Sequence, residues 1–390
     1  MQVSPRGVLF TVGLALASQG CWRHHVVATT DAAPGAGDAS VEDARAERPA
    51  SPPVERDCGD APLCVLSERA SVELPPGTFI HRDLPESDTF VLGRAGDPPS
   101  YEIRSSDGLS RLAMGQVIDA IETPGAIVVL AITPETPQPA IVVLDRNSLA
   151  SRARIDGEGW TGLARDGEGF GALRSMYVGP GDADFLFTWS RFDASGVLVS
   201  SDTFVRPRGG WVSQPWASTV RGELVLGWFR DGCAHVLWLR DGVLIGEPVL
   251  HCPADPACAA HVVSLTPERE GRVGFVVEVD CPPVPCGGAA EPLCTPPRFL
   301  VGVLDGPVPP TRVLDTCATR RPVLALEAGG GMRMIASGVD GLEARWLDRA
   351  LRVERAVRVP DAWGAIGLRA DGAMIYTDLG GLTWRARCEP

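Results

Sequence analysis

An all-β fold follows from three features of this 390-residue sequence. Short runs rich in β-branched and aromatic residues recur along it. Asp-Gly dipeptides punctuate those runs. No stretch carries a long helical period with caps at both ends.

The strand-like runs, in order, are 126–133, 140–145, 185–190, 197–205, 223–229, 236–239, 273–279, 299–304, 332–336 and 373–376, many bounded by Gly, Pro or Asp. Asp-Gly occurs at Asp107-Gly108, Asp156-Gly157, Asp166-Gly167, Asp231-Gly232, Asp241-Gly242, Asp305-Gly306, Asp340-Gly341 and Asp371-Gly372. This pair suits the two-residue hairpin turn, whose central residues need positive φ and whose twist matches that of paired strands. Repeated so often, it makes an antiparallel meander the default.

The hairpins also recur at a loose period. Units begin near Ser87, Gly125, Asp184, Gly222, Gly271, Gly329 and Gly372. Their spacing of about 40 to 60 residues is that of a four-stranded propeller blade with insertions. One insertion is the Pro- and Cys-rich stretch 281–297. The reading is a β-propeller of about seven blades. A strand near 72–80 completes the short last unit, and ring closure removes the open sheet edge. Two packed β-sandwiches are the alternative.

Thr377-Asp378-Leu379-Gly380-Gly381-Leu382-Thr383-Trp384 resembles the Asp-box of sialidase-type propellers. One extra residue separates Asp378 from Thr383, and Tyr376 stands where the pattern has Ser. The resemblance implies a structural hairpin built on Asp378, Gly380, Thr383 and Trp384, with the indole between strands, and implies no catalytic role.

The N-terminus has the layout of an export signal. Arg6 precedes the apolar run 8–17, which is too short to span a bilayer. Ala17-Ser18-Gln19-Gly20-Cys21 resembles the lipobox of bacterial lipoproteins, which implies a signal peptide over 1–20 and lipidation of Cys21. Gln19 and Ser18 depart from the pattern. Cleavage after Ala15-Leu16-Ala17, giving a soluble secreted or periplasmic chain, is the alternative. Trp22 rather than Asp follows the cysteine, so the outer membrane is favoured over the inner. Residues 21–57 are rich in Ala, Pro and Asp and have little to bury, the composition of a disordered tether. Residues 58–390 form the disulfide-bearing propeller domain. Cys21, the tether and the arginine-rich composition together resemble envelope lipoproteins of the myxobacterial type.

Eleven cysteines less Cys21 leave an even set suited to an oxidising compartment: Cys58, Cys64, Cys233, Cys252, Cys258, Cys281, Cys286, Cys294, Cys317 and Cys388. Local pairs Cys58–Cys64 and Cys252–Cys258, and a distant Cys317–Cys388 bridge, are the expected connections. Zinc is the competing use for Cys281, Cys286 and Cys294, and for His251, Cys252, Cys258 and His261, but neither spacing suits a tetrahedral site. Solvated residues and a strand turn are the readings for His24, His25 and Gly181-Asp182-Ala183-Asp184, so no metal is expected.

The formal net charge of −13 argues against a nucleic-acid partner. Every basic residue is arginine. Without lysine there is no Walker-A loop, no kinase strand lysine and no Schiff base for pyridoxal phosphate, so neither a nucleotide nor another cofactor is expected. No G-x-S-x-G elbow, H-E-x-x-H or EF-hand loop occurs. His235, in an apolar run, reads as a buried strand residue, and the ten tryptophans read as blade packing. The chain therefore reads as a binding or scaffold propeller that touches the membrane only through its lipid and holds an envelope protein or glycan. A polysaccharide hydrolase or lyase is the alternative. It requires paired carboxylates, or an Arg-Tyr-carboxylate group, at the mouth of the central channel.

Overall fold

A computed structural model describes residues 51–56, 61–94, 100–106, 108, 110–113, 115–133, 136–177, 185–205, 210–211, 216–282, 297–338, 341–359, 361–369 and 371–388. These residues form seven separate β-sheets arranged as the blades of a β-propeller. Blade 1 runs from the axis outward through Thr78–Leu84, Thr89–Arg94, Ser100–Ser105 and Ser110–Ala113. Blade 2 follows with Val117–Glu122, Ala126–Thr133, Thr136–Asp145 and Ser151–Asp156. Blade 3 has Trp160–Asp166, Gly169–Tyr177, Phe185–Phe192 and Leu198–Val205. In blade 4, Ala217–Val220 and Gly210–Trp211 share the partner Glu223–Arg230, while Val243–Gly246 and Val249–His251 share Cys233–Arg240. Blade 5 has Ala259–Leu265, Val273–Asp280, Arg298–Leu304 and Val313–Asp315, and blade 6 has Val323–Leu326, Met332–Gly338, Gly341–Leu347 and Val353–Val359. Blade 7 combines Ala362–Leu368, Met374–Asp378 and Thr383–Cys388 with the N-terminal strand Leu66–Ser71.

The last blade is thus closed by the N-terminus, but by Leu66–Ser71 and not by a strand at 72–80. Thr78–Leu84 opens blade 1 instead. The unit starts read from the sequence fall just before second strands, at 89, 126, 223, 273, 332 and 374, and in blade 3 before the third strand at 185. The reason is burial. Second and third strands are covered on both faces by neighbouring blades and read as continuous apolar runs, as in Glu223–Arg230 and Cys233–Arg240. An outer strand such as Ser151–Asp156 is largely exposed.

Two of the Asp-Gly pairs make the expected turn. Asp231-Gly232 and Asp241-Gly242 join paired strands, and all four residues have positive φ. Arg221-Gly222 does the same without an Asp.

Each seam between adjacent blades has its own apolar cluster. Blades 4 and 5 share Val225, Val236, Trp238, Phe275 and Leu300, for instance. The seam between blades 7 and 1 is the poorest, with Phe90, Leu92 and Ile375 its buried members among the described residues. Polar contacts reinforce it. Arg369 of blade 7 pairs with Asp83 at 2.8 Å and Asp88 at 3.1 Å in blade 1, and its Nη1 donates to the Leu84 carbonyl at 3.0 Å. Burial pushes the Asp83 carboxyl up to about 7, with Arg369 opposing the rise. Gly367 is required beside it, because a Cβ there would lie 1.8 Å from Asp83 Oδ2.

The segment before blade 1 works as a strap. Ser51 Oγ accepts from the Cys252 amide at 2.9 Å, and Val54–Arg56 pairs in parallel with Val313–Asp315 at the edge of blade 5. The Cys64 amide then donates to the Arg358 carbonyl in blade 6 at 2.7 Å, before Leu66–Ser71 enters blade 7. Residues 54–56, assigned by composition to the tether, are therefore a strand, and one segment covers the edges of three consecutive blades.

The disulfides are Cys64–Cys388, Cys233–Cys252 and Cys258–Cys281, and Cys317 is also disulfide-bonded. This corrects the local pairs Cys58–Cys64 and Cys252–Cys258 and the bridge Cys317–Cys388. Blade geometry decides the pairing. Cys233 and Cys252 lie at the same end of adjacent strands, as do Cys258 and Cys281, so partners close in space are not those closest in sequence. Cys21, Cys58, Cys286, Cys294, His24, His25 and 181–184 lie outside the described residues.

The Asp-box-like hairpin is built as its residues imply. Asp378 Oδ1 accepts from the Leu382 amide at 2.9 Å, and Oδ2 accepts from Trp384 Nε1 at 2.8 Å. Arg69 of the strap stacks on the Trp384 ring at 3.9 Å, and Thr383 is buried. The residue needing positive φ is Gly381, at +81°, rather than Gly380. Asp378→Ala removes both acceptors and should lower unfolding stability by about 1–3 kcal/mol, read as a fall in denaturant midpoint. An unchanged midpoint would show that the hairpin holds without its carboxylate.

Candidate functional site

The innermost strands line the central channel, and five of them are irregular in their pairing with the second strand. The pairing register slips at His81, Ile118, Thr161, Val263 and Trp363, and again at Ile366 in blade 7, so each of these blades carries a bulge on its inner strand. A bulge re-aims a side chain and bends its strand.

Beside these bulges a charged cluster converges from distant parts of the chain. Arg82 of blade 1 forms an ion pair with Asp119 Oδ1 of blade 2. Asp119 Oδ1 also accepts from the Ala120 amide at 2.9 Å, and Oδ2 accepts from the Leu163 amide of blade 3 at 3.0 Å. Both oxygens are therefore engaged. Arg321, in the link from blade 5 to blade 6, donates from Nη1 to the Val263 carbonyl at 3.2 Å and lies 5.3 Å from the Trp216 ring centroid. Its side chain is open to water yet walled by protein. That burial lowers its pKa, the Arg82 charge lowers it further, and Glu278 opposes both. Arg320 stacks over the half-exposed Trp363 at 3.6 Å.

Titratable neighbours complete the site. Burial lowers the His81 pKa, followed by the Arg82 charge, while Asp119 opposes and Arg321 adds, so the ring is neutral at pH 7. His261 sits opposite Glu278 across two paired strands of blade 5 and stacks on Phe229 of blade 4 at 4.5 Å. Burial raises the Glu278 pKa and Asp280 raises it further, with Arg321 opposing. Arg82 and Arg321 thus share the mouth with the acids Asp119 and Glu278. Of its acids, Asp119 is fully engaged and Glu278 lies within the field of a cation.

Several sequence readings find their places. His235 is buried beside Glu247, with Nδ1 3.7 Å from the carboxylate, and burial lowers its pKa. Trp160, Trp189, Trp228 and Trp238 are blade packing, whereas Trp363 faces solvent at 48% exposure. Tyr376 is fully buried in blade 7 and Tyr101 is buried in blade 1, so neither is placed as a nucleophile. Cys252, Cys258 and Cys281 are oxidised and offer no thiolate to zinc. Among the described residues no group of three or more His, Cys, Asp and Glu is placed to hold a metal ion, and no helix is long and apolar enough to cross a membrane. The Arg82–Asp119–Arg321 cluster went unread because its members come from blades 1 and 2 and an inter-blade link. The one local signal was the Arg320-Arg321-Pro322 run in a link.

No family model and no curated protein sequence matches this chain. Similar solved structures exist. The β-propeller domain of the Trilobed protease from Pyrococcus furiosus is 13% identical over 82% of this chain and 94% of its own, with a TM-score of 0.45. BamB from Moraxella catarrhalis is 10% identical over 83% and 100%, with a TM-score of 0.42. In a structure from a study of two prolyl endopeptidases the match is 12% identical over 80% of this chain, with a TM-score of 0.45, and this chain spans 50% of that one. All of these are similarities at the level of fold. The seven-bladed assignment is carried by the sheet topology described above.

Proposed function

We propose that this chain is a lipid-anchored protein of the bacterial cell envelope whose propeller holds another envelope protein and performs no catalysis. The observation that carries the non-catalytic part is the state of the channel mouth. Asp119 is saturated by Arg82 and two backbone amides, burial and Asp280 raise the Glu278 pKa with Arg321 opposing, and Tyr376 and Tyr101 are buried. A glycosidase needs a general acid paired with a free carboxylate across the sugar. Three disulfides support an oxidising, exported location. Cys21, the cysteine of the lipobox-like stretch, supports the anchor, and residues 22–50 leave a spacer between anchor and ring.

The test is metabolic labelling with a radioactive fatty acid, alongside an efficiently labelled lipoprotein control. The full chain should take up label and Cys21→Ser should lose it. An unlabelled wild-type chain would end the anchoring proposal.

A further inference from the structure

We infer that the outer edges of blades 3 and 4 receive a second copy of this chain, strand edge against strand edge about a two-fold axis. Nothing in this pairing depends on the lipid anchor or on what the ring holds.

The outermost strand of a blade leaves a row of backbone N–H and C=O groups unpaired, and charged side chains guard such an edge against a further strand. Blades 2, 6 and 7 are guarded in this way. Ser151–Asp156 carries Arg152 and Arg154, Val353–Val359 carries Glu354, Arg355 and Arg358, and Leu66–Ser71 carries Glu68 and Arg69. The edge of blade 5 is covered by the strap, which brings Glu55 and Arg56. Blades 3 and 4 have neither protection. Among the described residues their outer strands, Leu198–Val205 and Val243–Gly246, have no partner on the outer side. Between them they hold one charged residue, Asp202. What they present to solvent is Leu198, Val199, Val243, Leu244 and Ile245, with Val197 just ahead of the first strand.

These side chains belong to one surface. Gly242, in the turn before Val243, lies against blade 3, where a Cβ added to it would come 3.3 Å from Asp202 Cβ. At the far end of the same strand a Cβ on Gly246 would lie 2.7 Å from Pro307, next to the exposed Val308 of blade 5. The apolar band therefore runs from blade 3 across blade 4 to blade 5. A contiguous band of this kind marks an interaction surface.

Charge selects the occupant. A strand of different sequence can answer a charged edge with the opposite sign, as Glu55 of the strap answers Arg312. A copy of the same strand cannot, because a two-fold axis brings like residues together and like charges facing across a strand pair are destabilising. An edge stripped of charge is what self-pairing requires. Its one acid, Asp202, is half-buried against the Gly242 turn.

The test is sedimentation velocity on residues 21–390 carrying Cys21→Ser, so that neither lipid nor the Cys21 thiol joins the copies. Between about 1 and 100 μM the chain should show a reversible monomer–dimer equilibrium. Val199→Arg and Leu244→Arg should each weaken dimerisation by about tenfold or more. Both positions are exposed, so the melting temperatures of the monomers should stay within about a degree or two of one another. Ser151→Arg, at an exposed position on the guarded edge of blade 2, should leave the equilibrium unchanged. Hydrogen exchange locates the contact: amides within 198–201 and 243–246 should exchange more slowly in the dimer than in the monomer. A wild type that stays monomeric throughout overturns the proposal and leaves the band to a strand of another sequence. A dimer that survives both arginine variants, or that adds no protection at these two edges, overturns it as well.

Discussion

Replacing Cys64 and Cys388 together by alanine is expected to cost more stability than removing any other described disulfide. The bond joins the segment ahead of blade 1 to the last strand of blade 7, with a sequence separation of 324. In the chain-entropy account a loop of that length restricts the unfolded state by about 6 kcal/mol, against about 3 for the Cys233–Cys252 bond at separation 19. Native strain and residual structure reduce such figures, so about 2–5 kcal/mol is the expected loss. Position adds to length. The bond lies within blade 7, in the apolar cluster shared with blade 6, beside the pairing of Leu66–Ser71 with Thr383–Cys388 that joins the two ends of the ring. Urea unfolding of the double variant, beside Cys233→Ala/Cys252→Ala, checks the order. If the two losses were equal, the length of the closed loop would not set the cost.

Arg369→Met carries the second large effect, about 3–5 kcal/mol. The Arg369 side chain is 3% exposed and sits between Asp83, 4% exposed, and Asp88, while its backbone carbonyl accepts from Arg333 Nη2 at 3.0 Å. Methionine keeps the bulk but leaves Asp83 buried without its cation. The deficit should depend on pH. Asp83 binds its proton more tightly folded than unfolded, so its carboxylate form penalises folding as pH rises from about 4 toward 7. Removing Arg369 deepens that penalty. The variant should lie nearest wild type in melting temperature at pH 5 and furthest from it at pH 8. A deficit independent of pH would mean that the loss comes from the Leu84 and Phe90 contacts instead.

The ring was legible in the sequence because half of each blade is written in apolar residues. Runs such as 126–133, 223–229 and 273–279 coincide with second strands, where burial on both faces demands unbroken hydrophobic stretches. The innermost strands were not legible. Thr78–Leu84 only overlaps the strand read near 72–80, because His81, Arg82 and Asp83 in a row hide its extent and its register with Thr89–Arg94. The site shares that obscurity, since Arg82, Asp119 and Arg321 sit on inner strands or links whose composition follows the channel rather than a core. The hairpin at Asp378 was legible because turn and hydrogen-bond partner are local in sequence. The disulfides were not, because propeller closure brings Cys64 to Cys388 by a route that no spacing records.

The strap gives the ring a defined response to tension. A pull on the chain ahead of Ser51 first loads the pairing at Val54–Arg56 and then the contacts of residues 61–64 with Arg358, both of which detach a few hydrogen bonds at a time. Peeling cannot run past Cys64. There the load crosses the disulfide to Cys388 and is shared by the C-terminal strand of the same blade. About a dozen residues can thus be drawn out as slack, each adding roughly 3.3–3.6 Å of length, before force reaches the closed circle of blades. The seven-bladed body stays intact while its attachment extends, as with a carabiner on a short length of webbing.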